Sequence, residues 1–138
     1  MSETAVRSAS NYPKDIIEKF SAWVEDDPKA LEWLIAFKYR ELILLREAVF
    51  GDSRAIEALL KTKQVILAAF SNAVWDDIGA MRLLMAAKAF HWAAVANIIN
   101  GDDKAQIWLK RNNLDHYIDL AHKIQKQIRA QGNRVLGI

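Results

Sequence analysis

Three lysines, Lys38, Lys63 and Lys88, stand 25 residues apart. Amines at one interval would hold an anionic ligand if the fold brought them to one level, because each ammonium offers a charge and three donors. Glu41 and His91 follow Lys38 and Lys88 by three residues and would bring a carboxylate and an imidazole to the same place. Lys38, Lys88, His91 and Glu41 are therefore the candidate ligand-binding set. The plainer reading lays each lysine along the edge of an apolar face with its amine in water. It leaves His91, inside "AFHWAA", as a hydrogen-bonded core residue. The plainer reading is preferred.

"DHYIDLAH" places Asp115, Asp119 and His122 on one helical face, at steps of four and three. Carboxylate-rich helical metal sites use such spacing, but they draw ligands from several helices and carry Glu-x-x-His pairs. No such pair occurs here, so a solvated face and no metal are expected. The aspartates at 26/27, 52, 76/77 and 102/103 lack the ligand spacing and glycine bend of a calcium loop. The chain holds no cysteine, which removes disulfides, thiol catalysis and Cys-ligated zinc or iron–sulfur sites. There is no Gly-rich phosphate loop, nucleophile elbow or HExxH motif. No cofactor is expected, and an enzyme is the least favoured class.

The elements that would position these residues follow from an internal period. In rows of 25 starting at residue 26, the second column is Asp27, Asp52, Asp77 and Asp102, the fifth is Ala30, Ala55, Ala80 and Ala105, and the ninth is Leu34, Leu59, Leu84 and Leu109. A coarser period of 50 overlies it, with row openings DD, GD, DD, GD, as a duplicated helical hairpin would give. Aspartate is a strong N-cap, because its carboxylate accepts an N–H that the first helical turn leaves unpaired. It also suits the positive end of the helix dipole. Pro28 fits the first helical position. Gly51 and Gly101 fit the left-handed residue that ends a helix. The alanine and leucine columns open an apolar stripe, in the first row Ala30, Leu34, Phe37, Glu41 or Leu42, Leu45 and Val49, with the steps of an α-helix.

This spacing predicts a short helix over 13–24, opened by Pro13 after Ser10 and Asn11, and four long helices over 28–49, 53–74, 78–99 and 103–130. Each of the first three, about 22 residues long, would span about 33 Å. The expected fold is all-α: an antiparallel up-and-down bundle of four long helices with the short N-terminal helix against it. A short α-solenoid of stacked hairpins is the alternative. Residues 13–131 form the expected domain, between a loose arm at 1–12 and a tail at 132–138.

The segment 80–99 is apolar nearly all round, and the segment 28–49 carries two apolar faces. A four-helix bundle has one inward face per helix. The short helix can cover one surplus face through Ile16, Ile17, Phe20 and Trp23, and a second copy of the chain another. A homodimer is therefore expected. Trp33 and Trp108 share the eighth column, off the main stripe. With Phe37 they are the expected interface anchors, since tryptophan is enriched in interfaces.

Nineteen basic and seventeen acidic residues leave a charge of +2, too small to point to nucleic acid. The basic run Lys123, Lys126, Arg129 and Arg134 suits a helix C-terminus. The N-terminal "MSETAVRSAS" has no apolar core of a signal peptide. The most apolar stretch contains Arg82, Lys88 and His91, against a membrane span. A cytoplasmic, non-enzymatic interaction or adaptor module that self-associates is the leading expectation. A bundle binding a small molecule in an apolar pocket is the alternative.

Overall fold

A computed structural model of the chain describes residues 12–135, the side chains of 132–135 excepted. Among the described residues every element is a helix. In order they are α1 (Lys14–Val24), α2 (Pro28–Ala36), α3 (Arg40–Val49), α4 (Ser53–Lys61), α5 (Val65–Ala73), α6 (Ile78–Ala86), α7 (Phe90–Ile99), α8 (Lys104–Arg111) and α9 (Asp115–Val135). None is long and apolar enough to cross a membrane. The expected arm 1–12 lies outside the described residues except for Tyr12, which is buried, and so does 136–138 of the expected tail.

Four long rods do not form. Each is divided near its middle, at Lys38, Lys63, Lys88 and Asn113, with φ of 64°, 64°, 60° and 58°. At each break two hydrogen bonds fold the chain back on the ending helix. Lys38 N donates to Ile35 O at 3.1 Å and Tyr39 N to Leu34 O at 2.9 Å, and the same pair recurs at Lys63/Gln64, Lys88/Ala89 and Asn113/Leu114. This is the Schellman closure of a helix C-terminus. The turns at Asp26, Gly51, Asp76 and Gly101 close identically, for instance with Gly51 N on Ala48 O and Asp52 N on Glu47 O, both at 3.0 Å. Left-handed residues thus recur at 26, 38, 51, 63, 76, 88, 101 and 113, in alternating steps of twelve and thirteen.

Lysine has no local reason to sit there, since the left-handed well costs a residue with a Cβ about 1–2 kcal/mol. Burial supplies the reason. Leu34, Leu59, Leu84 and Leu109 are fully buried, and so, eight residues later, are Leu42, Leu67, Trp92 and Tyr117. Eight residues of straight helix turn about 800°, which aims the second side chain about 80° away from the first. Breaking the helix lets both point to one interior.

The odd-numbered helices form a closed ring. α1 packs on α3, α3 on α5, α5 on α7, α7 on α9, and α9 returns to α1. The even-numbered helices lie outside across the joints: α2 against α1 and α3, α4 against α3 and α5, α6 against α5 and α7, α8 against α7 and α9. α1, expected as a cover for a bundle, is the fifth ring member. Five positions at one interval, Ile17, Leu42, Leu67, Trp92 and Tyr117, are at most 1% exposed, and Phe20, Leu45, Phe70, Val95 and Leu120 are 0% exposed. Each outer helix commits little to the core: α2 buries Ala30 and Leu34, and α4 buries Ala55 and Leu59. Phe37, expected within the inward stripe, is 58% exposed, because the break at Lys38 turns it outward.

The joints share a polar tie. Trp75 Nε1 donates to Val49 O at 2.8 Å, Asn100 Nδ2 to Ala73 O at 3.0 Å and Gln125 Nε2 to Ile99 O at 3.3 Å. The donors stand 25 residues apart, and each satisfies a carbonyl in the last turn of the previous ring helix. The α1–α3 joint uses an ion pair, Arg46 with Asp26, with the Arg46 guanidinium 4.3 Å from the Trp23 ring. At the closing seam Lys123 and Lys126 each lie 3.7 Å from Glu25. All these ties fall at the C-terminal ends of α1, α3, α5 and α7, so these four helices run in one direction.

Candidate functional site

Lys38, Lys63 and Lys88 are exposed residues of surface turns, each the left-handed residue between an outer and a ring helix. Glu41 and His91 sit in the first turns of α3 and α7, ring helices between which α5 intervenes. Glu41 is buried, and Tyr12 Oη donates to its Oε2 at 2.6 Å. His91 is half-buried, its ring edge-on to Tyr117 at 5.0 Å. Tyr117 also packs against Trp92 at 5.5 Å and His116 at 4.8 Å, and burial pushes its phenol well above the usual range. Burial lowers the His116 imidazole, and the Lys14 ammonium adds to this against the opposing pull of Glu18 and Asp115. Trp92 and Tyr117 form the packed interior of the α7–α9 joint, with His91 and His116 half-buried at its edges.

Asp115, Asp119 and His122 are exposed, and Asp119 pairs with Lys123 at 2.9 Å. Among the described residues no group of three or more His, Cys, Asp or Glu is placed to hold a metal ion. The aspartates of the second column are bonded to the helices they precede. Asp27 and Asp52 Oδ1 accept from Lys29 N and Arg54 N at 2.9 Å, Asp77 Oδ1 from Ala80 N at 3.1 Å and Asp102 Oδ1 from Lys104 N at 3.0 Å.

Trp33 and Trp108 share a column but not a setting. Trp33 on α2 is closed in: Phe37 stacks on it at 4.5 Å, Tyr39 at 5.9 Å, and the Lys19 amine lies 5.5 Å from its ring. Trp108 on α8 is 39% exposed and meets Phe90 edge-on at 6.5 Å. It forms one wall of a groove of about 400 Å³ that runs along α7. The floor is Ala93 and Ala94, Met85 and Phe90 rim one end, and Asn97 and Asp102 lie at the other.

A second groove, of about 300 Å³, repeats the first one joint earlier. Leu60, Val65, Ala68, Ala69, Asn72, Asp77, Gly79, Ala80 and Leu83 line it. Adding 25 to each gives Met85, Phe90, Ala93, Ala94, Asn97, Asp102, Lys104, Ala105 and Trp108, which is the lining of the first. The alanine pairs create the space: one repeat before Ala68 and Ala69, the chain holds Ile43 and Leu44, half-buried against the core.

A third cavity, of about 330 Å³, continues the Trp108 groove and shares Met85, Asn97 and Asp102 with it. It runs along the Ile78, Met81, Arg82 and Met85 face of α6, and Asp76, Asp77 and Asn100 also border it. The joint tie here is Asn100, where the previous joint has the bulkier Trp75. Reading the sequence by periodicity missed Met85, Phe90 and the alanine pairs, because exposure depends on where the rods break. The available signal was the change from Ile-Leu to Ala-Ala at equivalent positions. No protein family, curated protein or solved structure matches this chain.

Proposed function

We propose that this protein is a non-enzymatic helical interaction module whose docking face is the outer surface from α4 to α8. We read its architecture as a short solenoid of 25-residue helix pairs that closes on itself, in place of the four-rod bundle. The observation that carries the functional reading is the matched pair of apolar grooves, with Met85, Phe90 and Trp108 exposed around an alanine floor. Monomeric proteins leave few such contiguous patches without a use. The second-column aspartates, the three lysines and His91 are engaged in caps, turns and ring packing, and this supports a binding role over a catalytic one.

The test is to pan a library of random 14-residue peptides displayed on phage against the full chain and against Ala94→Leu. The variant fills the groove as Leu44 fills the equivalent place in the first row, so the fold tolerates it, and an unchanged circular dichroism spectrum checks this. Binders retained by the parent chain and lost on Ala94→Leu support the module. A panel with no groove-dependent binder overturns it.

Self-association through the same face is the second reading. Part of the surplus apolar surface that suggested a dimer is covered inside the ring. What remains exposed includes Leu60 at 50%, Met85 at 49%, Phe90 at 39% and Trp108 at 39%. Sedimentation at micromolar concentration showing only a 15.7 kDa species sets the dimer aside.

A further inference from the structure

We infer that the groove between α6 and α8 takes an amphipathic helical segment of a partner protein, with lysine or arginine in the turn that lies against Asp76, Asp77 and Asp102. The inference rests on the interaction-module reading and names the partner's chemistry. Two observations decide the form of the guest. The walls of the groove are helices except at Asp102, whose turn N–H is bonded to Asn97 O, so an extended strand would find no ladder to join. Side-chain contact is what remains, which is helix-in-groove recognition. The floor runs from Phe90 through Ala93 and Ala94 to Asn97, one face of α7. That is about 10 Å, two turns of a helix, and it matches apolar guest residues at i, i+3 or i+4, and i+7.

Charge fixes the orientation. The groove and the cavity that continues it are bordered by three carboxylates, Asp76, Asp77 and Asp102, against two cations, Arg82 and Lys104. Among the described residues none of the three aspartates is in an ion pair. This leaves a local negative end, which favours a cationic guest end.

The experiment uses the peptides recovered by the panning above, synthesised singly and titrated by fluorescence anisotropy against the full chain. The comparison protein is Asp76→Asn/Asp77→Asn/Asp102→Asn. Asparagine is as good an N-cap as aspartate and accepts the left-handed conformation of residue 76, so charge is removed while the turns persist. The groove-dependent peptides should carry apolar residues at helical spacing followed by Lys or Arg. They should lose about tenfold in affinity on the triple variant, and the difference should shrink in high salt. Groove-dependent peptides that bind the triple variant as tightly as the parent, that alternate in pattern, or that carry acids at that end overturn this inference and leave the module standing. Dimerisation of the chain that these peptides displace also overturns it, because the occupant is then a second copy. Absence of any groove-dependent peptide removes the module and this inference together.

Discussion

The indole N–H of Trp75 donates to the carbonyl of Val49 across 2.8 Å, although the Trp75 ring is 57% exposed. The ring lies on the surface while its polar edge caps the end of α3. The bond gives the exposed indole a role at a turn where apolar burial alone would not hold it. Trp75→Phe keeps the ring and deletes the donor, so it should lower stability by about 1 kcal/mol. Urea unfolding followed by circular dichroism measures it. A midpoint equal to the parent's would mean that the tie contributes nothing.

Lys63 has φ of 64°, a conformation glycine adopts freely. Lys63→Gly should therefore stabilise the protein by about 1 kcal/mol. In an unbroken helix over 53–74 the same change would destabilise by about 1 kcal/mol. The sign of the shift in the urea midpoint separates the broken from the continuous rod.

Phe20 is 0% exposed and α1 packs on both α3 and α9. A ring closed through α1 gives Phe20 the same standing as Phe70, so Phe20→Ala should cost about 3–5 kcal/mol. A cost near 1 kcal/mol would show α1 to be a loosely held cover. Calorimetric melting temperatures of the two alanine variants, Phe20→Ala and Phe70→Ala, make the comparison.

The His116 imidazole is held below 6.5, first by burial and then by the Lys14 ammonium. A group whose folded pKa is lowered binds more protons when unfolded, so stability rises with pH through that window and is lost as pH falls below about 6.5. His116→Gln should flatten the change in urea midpoint between about pH 7 and pH 5. Identical pH profiles for parent and variant would remove His116 from the acid response.

The all-helical class and the turns at 26, 51, 76 and 101 are legible in the residues, because aspartate and glycine bring their own local preferences. Asp52 supplies an acceptor for the next helix, and Gly51 takes a φ of 100° at no steric cost. The breaks at Lys38, Lys63 and Lys88 are not legible, because lysine is a good helix former and carries no signal to stop. A shared interior imposes them, since Leu59 and Leu67 both have to reach it. Ring closure between α1 and α9, the exposure of Phe37 and the opposite fates of Trp33 and Trp108 depend on contacts between segments far apart in the chain. The groove is of the same kind. Ala93 and Ala94 are unremarkable in a helix, and they become a floor only once α6 and α8 stand on either side of α7. Local conformational preference is written residue by residue, whereas burial is a property of the assembled ring.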